Sequence, residues 1–473
     1  MRATISSVGI VTKNRIASLE RVLAGYVENA KSFGRKNGFI VMDDSADFRT
    51  RGDCRRMLRS LRDRWAVKVA YAGREEKKAF AQALVGAGLP PEVVRFALFG
   101  AGVAGSSVGA NRNALLLHTA GELLFNPDDD VHCRVAPAPG KKAGVAFSAG
   151  FNPEEFWFFK DKAAALRKIR FQDKDVLGLH EEFLGRELSG RRRVFATSNG
   201  LVGDCALASP RPYLRLRGSS RRRLAASRSY YGRALSRQVI RAVTRSTASQ
   251  GISFFTSAVG LDNRALLAPF MPMFRNEDGL FWLMMKKCFA RGLLVQLPWT
   301  LLHEPPEPRS FRRREFQRAA PGLRVNDALH LCVSAFEPAV SGGEGGLRAL
   351  GDYLTALAST GPAEFRATAA VLIRRAQSLQ ILHLESLLET YKGAPKYWAA
   401  DVYSLKAGLE RALRTRPPAP RELAPGRDSA AGWESFRRLV LKFGALARTW
   451  PELVRAAKEL RGRGVRLARS VDS

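Results

Sequence analysis

Within its first 44 residues the chain writes a strand, a helix and a second strand, and that order leaves little freedom in how it can fold. Val8-Gly9-Ile10-Val11-Thr12 is a short apolar run. Residues 16–33 then carry Leu19, Val22, Leu23, Tyr26 and Val27 at helical spacing, and Phe39-Ile40-Val41-Met42 is a second apolar run, stopped by Asp43-Asp44. Two strands joined through a helix run parallel in one sheet, because a parallel connection needs a long crossover that packs on the sheet. The alternation continues with a helix at 55–65, a strand at 67–71, a Gly/Ala/Ser loop at 100–109 and a helix at 111–120. Glu122-Leu123-Leu124-Phe125 is then a strand that runs into Asp128-Asp129-Asp130.

Farther on, residues 186–245 are dense in Arg, Ser and Gly and read as a partly mobile, substrate-facing insertion spanning about 186–250. Order resumes at Phe254-Phe255-Thr256-Ser257, with a helix at 280–291 and a strand at 293–297 that continues past Pro298 to His303. Prolines at 305, 306 and 308 close this part, since such density suits neither helix nor sheet. Beyond it the pattern changes to Ala/Leu/Arg helices over 346–359, 362–391 and 398–413, a break at Arg416-Pro417-Pro418, and a basic helical stretch over 433–469. A chain of 473 residues exceeds what one core usually holds. The reading is an α/β domain with a mostly parallel sheet over 1–312, followed by an all-α domain over 313–473.

Chemistry is concentrated where apolar strands end in carboxylates. In open parallel sheets ligands bind beyond the carboxyl ends of the strands. Asp43-Asp44 and Asp128-Asp129-Asp130 lie at such ends, and Glu277-Asp278 opens a helix. Carboxylates gathered on one face repel one another unless a cation lies between them. Hard divalent ions take carboxylate and diphosphate oxygens together, which points to Mn²⁺ or Mg²⁺ and a nucleotide-diphosphate substrate. In extended backbone Asp128, Asp130 and His132 would share one face. Plainer readings stand beside these: a solvated turn for the three aspartates, a helix cap for Glu277-Asp278, an ion pair for Arg112. His118, His330 and His383 sit in helical patterns and read as structural, while His180 and Asp204 fall in segments that could line an acceptor region.

The stretch Val8 through Arg15 resembles the opening strand and turn of family 2 glycosyltransferases with the GT-A fold. Val41-Met42-Asp43-Asp44-Ser45 resembles their second strand, Gly109-Ala110-Asn111-Arg112-Asn113 their Ala-Arg-Asn helix start, and Asp128-Asp129-Asp130 their D-x-D signature. Arg275-Asn276-Glu277-Asp278 resembles the E-D element, and Leu302-His303 the downstream metal-binding His. The resemblance covers about the first 310 residues. It implies donor contacts from Thr12, Asn14, Arg15, Asp43, Asp44, Arg112, Asp128 and Asp129. It implies a divalent cation on Asp128, Asp130 and His303, and Asp278 as the general base of an inverting transfer. Asp204 and Glu277 would fall on the acceptor side; the acceptor itself, a glycan, a lipid-linked group or a peptide, stays open. The chain departs from the family pattern at Lys13, where an aromatic residue is common, at Ser45-Ala46-Asp47, and in the length between Asp130 and Glu277.

A formal charge of +33 favours anionic partners. Arginine triplets at 191–193, 221–223 and 312–314 also suit a nucleic-acid or anionic-membrane binding protein. No aromatic-interleaved RNA-binding pattern accompanies them, so nucleic acid is not expected as a partner. A nucleotidyltransferase is the other alternative, but Thr12-Lys13-Asn14-Arg15 lacks the glycines its phosphate loop requires. Five scattered cysteines give neither a disulfide framework nor a zinc site, and no apolar run approaches 18 residues; the expectation is a cytoplasmic protein. In the last helix Trp433, Phe436, Leu439, Val440, Phe443 and Leu446 form an apolar stripe among cations, which suits either docking on the helical domain or peripheral attachment to anionic lipid.

Overall fold

The structure is a computed structural model that describes residues 4–101, 107–251, 254–317, 323–338, 342–393, 395–423 and 429–472. It is a mixed α/β protein whose described strands join in one sheet. Strands β1 (Ser7–Thr12), β2 (Gly38–Asp43), β3 (Lys68–Ala72) and β4 (Leu123–Pro127) lie in the order β3-β2-β1-β4, all parallel. β1 and β4 are buried along their whole length, as strands covered by helices on both faces must be. Beyond β4 the sheet turns mixed: Ala258–Asp262 runs antiparallel to β4 and to Arg192–Asp204, and Gly292–His303 runs parallel to the latter. The strand order reverses beside β1, with β2 on one side and β4 on the other, so a crevice opens at their carboxyl ends.

Local chemistry sets the elements around that crevice. Phe48–Trp65 begins earlier than its apolar spacing announces, because the Asp47 side chain accepts from the Thr50 N–H and caps it. In Val108–His118, a Cβ on Gly109 would lie 1.9 Å from the Met271 carbonyl oxygen. Only glycine admits that approach, and it seats Arg112, one turn on, next to Glu277. Of the loop read at 100–109, residues 102–106 lie outside the described residues. Helices Arg74–Gly86 and Pro91–Phe99 went unread because Arg74-Glu75-Glu76-Lys77-Lys78 masks the short stripe of Phe80 and Leu84.

The segment 186–250 is not an insertion on the sheet's margin. Arg192–Asp204 is a 13-residue strand in the middle of the sheet, and Gln238–Ala242 and Ser246–Ser249 are strands as well. Several of its arginines are turned to internal partners: Arg193 to Asp262, Arg237 to Asp204, Arg241 to Glu154, and Arg221 over the rings of Tyr391 and Trp398. Arg density reads as a solvent face in a sequence; long stems and matched carboxylates let it pack inside. Phe254 through Ser257 form no strand, which starts instead at Ala258.

The C-terminal helices Gly343–Ser359, Pro362–Thr390, Lys396–Leu413 and Ser429–Gly462 fall close to where periodicity puts them. Leu84, Leu115 and Val93 share one apolar cluster with Leu350, Phe443 and Trp450, so the change near residue 313 is one of secondary structure within a common core. Trp450 Nε1 donates to the Leu267 carbonyl, and Arg469–Ser470 pairs with β3. Every residue of the stripe from Trp433 to Leu446 is buried, mostly against Gly343–Ser359. That helix therefore offers no apolar stripe to lipid: docking takes it, and Arg437 and Arg438 pair with Glu434. Among the described residues no helix is long and apolar enough to cross a membrane.

Candidate active site

Asp128-Asp129-Asp130 is a turn at the end of β4, bridged to β1 through Val11 and Asp128. Because the backbone turns rather than extends, the three carboxylates go separate ways. Asp128 accepts from Arg112 Nη2 at 2.8 Å. Asp129 accepts from Thr12 Oγ1 at 2.8 Å and from Arg15 Nη1 at 3.0 Å, and its carbonyl accepts from Ser18 Oγ at 2.7 Å. Asp129 is thus a latch between β1 and β4 that also lines the larger cavity. Asp130 lies between Arg15, at 3.2 Å, and His303 Nε2, at 3.3 Å. His132 does not join them; its ring faces Glu304 at 4.0 Å.

His303, the last residue of its strand, is buried, and its Nδ1 donates to the Asp204 carbonyl at 2.7 Å. Nε2 then faces the Asp130 carboxylate. A neutral ring would aim a lone pair at an oxygen that also carries lone pairs, so the contact calls for a proton or a cation between them. Burial lowers the His303 pKa, but the hydrogen bond and charge of Asp130 outweigh it and raise it. A carboxylate beside an imidazole that a carbonyl orients is a donor set suited to a divalent cation. Among the described residues no three His, Cys, Asp or Glu side chains gather into a ready-made metal cluster. Mg²⁺ held by one or two carboxylates plus substrate phosphates needs no such cage.

The other acidic pair is delivered by a strained turn. Phe274 (φ +67°) and Asn276 (φ +73°) both occupy the left-handed region on either side of Arg275. Asn276 Nδ2 donates to Asp327 at 2.8 Å, which pins the turn, and the helix Glu277–Cys288 starts from it. Glu277 is buried on Arg112 Nη1. Asp278 accepts from the Gly279 N–H at 2.9 Å and stays partly exposed. It borders two cavities, one of about 1110 Å³ that also takes in Asp128, Asp130 and His303, and one of about 360 Å³ walled by Phe254, Phe255 and Trp282.

Arg112 bridges two carboxylates at the edge of the larger cavity, and its side chain is only 4% exposed. Burial pushes Glu277 up to about 7 and Asp128 up to about 6, against the pull of Arg112. The guanidinium stabilises these carboxylates only while they are ionised. Its contribution is complete at higher pH and lost as pH falls through about 7 and then about 6. Arg112→Gln is expected to cost about 3–5 kcal/mol, the usual effect of stripping one partner from a buried pair. Unfolding by denaturant should show a larger deficit at pH 8 than at pH 5; an equal deficit at both would show that the ion pairs do not carry it.

Several other readings are corrected. Asp43 is 1% exposed and accepts from Ser45 Oγ at 2.6 Å and Tyr71 OH at 2.9 Å. Asp44 meets Lys77 Nζ at 3.1 Å and the Ser107 hydroxyl. Neither lines the larger cavity. Asn14 is an exposed left-handed turn residue whose N–H donates to Ser45 Oγ. Asp204 is buried under Arg237 and Arg309, supports His303 from behind and lines neither cavity. His180 is buried between Thr197 and Asn199. Sequence reasoning missed Arg211, Arg324 and Arg421, which line the larger cavity from remote segments without any local motif. Compared with known proteins, the chain matches no protein-family model and no curated protein.

Proposed function

We propose that the protein is a metal-dependent glycosyltransferase of the nucleotide-sugar type, with a catalytic part of GT-A character. The observation that carries this reading is that Asp130, His303 and Asp278 border one cavity, at the point where the parallel strand order reverses. Asp130 and His303, with Asp128, would hold Mn²⁺ or Mg²⁺, which when bound supplies Lewis-acid stabilisation to a departing diphosphate. Arg15 orients Asp129 and Asp130 from the side. Asp278 takes the proton of the acceptor hydroxyl as that oxygen forms its bond to the anomeric carbon. The bond from that carbon to the diphosphate oxygen breaks in the same step, so a single displacement inverts the configuration. The N–H of Gly279 holds one oxygen of Asp278 at 2.9 Å, and the N–H of Thr256 approaches the other only at 3.4 Å, so that oxygen keeps a lone pair for the proton.

Incubation with a panel of nucleotide sugars tests the proposal. Release of nucleoside diphosphate from one of them, dependent on Mn²⁺ or Mg²⁺, is the expected result. No release from any donor, with or without candidate acceptors, would overturn it.

A further inference from the structure

Away from the acidic turn, the larger cavity has a wall of a different character. Arg211 comes from the turn Arg211–Arg215, Arg275 from the strained turn before Glu277, Arg324 from the start of Val325–Ala335, and Arg421 from the irregular stretch that follows Lys396–Leu413. Elsewhere Arg112 and Arg237 each meet a carboxylate within 3 Å. On this wall, among the described residues, Arg211, Arg275 and Arg324 have no carboxylate within 4.0 Å, and Arg421 reaches Glu422 only at 4.0 Å. Of the two acids that line the wall, Asp327 is engaged by Asn276 and Glu315 by the Arg312 N–H. Burial, together with the charges of Arg421 and Arg324, lowers Arg211 from the usual arginine value, and burial with Arg421 lowers Arg324. The leading charges acting on Arg211 are Asp327, Arg421, Arg324 and Glu315, and those on Arg324 are Arg421, Asp327, Glu422 and Arg275.

Guanidinium groups that line one cavity and, among the described residues, have no carboxylate close by suit an anion. Several forked donors on one wall suit phosphate, which accepts such pairs bidentately. We infer that this wall of Arg211, Arg275, Arg324 and Arg421 is a subsite for a phosphate group carried by the acceptor. The inference rests on the transferase reading for the word acceptor. A donor diphosphate belongs at the other end, beside Arg15, Asp130 and His303, so a second phosphate site in the same cavity is left for the molecule that receives the sugar.

The test uses the full chain and the variant Arg324→Gln/Arg421→Gln. Binding of inorganic phosphate, glycerol 3-phosphate and farnesyl phosphate is measured by calorimetry, and binding of nucleoside diphosphate with Mn²⁺ alongside. We expect phosphate and both esters to bind the native protein and to bind the variant at least tenfold more weakly, with nucleoside diphosphate affinity kept within twofold. The melting temperature of the ligand-free variant should hold or rise, because like charges are removed. Farnesyl phosphate binding well above glycerol 3-phosphate assigns the group to a lipid carrier; equal binding assigns it to a soluble acceptor. Undiminished phosphate binding by the variant overturns the subsite. An equal loss for nucleoside diphosphate overturns it too, by giving the wall to the donor. Phosphate binding that separates the two proteins while no nucleoside diphosphate binds either would leave the subsite standing and sink the transferase reading.

Discussion

Asp278→Asn is expected to lower transfer by about 10²–10⁴-fold while donor binding stays within about twofold, the pattern of a lost general base. The amide keeps the shape and its oxygen can still accept from the Gly279 N–H, so the helix Glu277–Cys288 keeps its start and only the long 3.4 Å bond from the Thr256 N–H is lost. What it loses is the ability to take a proton. The helix-cap reading makes the opposite forecast: if Asp278 serves chiefly to hold the helix start, the variant loses stability and donor binding together with turnover. Glu277→Gln is the useful comparison, because Glu277, although it also lines the larger cavity, is buried on Arg112. Its loss should appear first in stability. Single-turnover kinetics with donor in excess separates the two residues.

Asp130→Ala should abolish metal-dependent binding of the nucleotide sugar, a loss of about 100-fold or more, of the order seen when groups that hold or orient a metal are removed. The fold should survive, since His303 can shed its proton and remain tied to the Asp204 carbonyl. The pH dependence of stability in chelator gives an independent check. Asp130 raises His303, so that contribution is complete below the ordinary histidine value of about 6.5 and is lost as pH rises through the raised one. The deficit of the variant should thus be larger at pH 6 than at pH 9. Unchanged cation-dependent donor binding would remove Asp130 from the metal site.

The parallel half of the fold was legible because its signal is local. β1, β2 and β4 are short apolar runs, the last two stopping at acidic residues, and the helices of the C-terminal part keep apolar spacing. The strand Arg192–Asp204 was hidden because its flanking arginines pair with carboxylates far away in the chain, and no window of sequence contains both. The same limit governs the site. Asp130, His303 and Asp278 could be named from strand ends and a helix start. That Asp43 is closed by Tyr71, that Arg112 is taken by Asp128 and Glu277, and that Asp204 stands behind His303 are facts of side-chain pairing across more than one element. The apolar stripe of the last helix illustrates the rule from the other side: its periodicity gave the helix, but only packing on Gly343–Ser359 decided that the stripe meets protein rather than lipid.

The central claim is that the acidic end of the larger cavity binds a nucleoside diphosphate together with a divalent cation. Thermal unfolding of the full chain with a panel of nucleoside diphosphates, with and without Mn²⁺, tests it most directly. A ligand at a hundred times its Kd stabilises the folded state by about 2.7 kcal/mol. The account predicts that one base stands out, that its stabilisation needs the cation, and that Asp130→Ala abolishes it. Stabilisation by no nucleotide beyond that of Mn²⁺ alone, or stabilisation that is the same in Asp130→Ala, would contradict it.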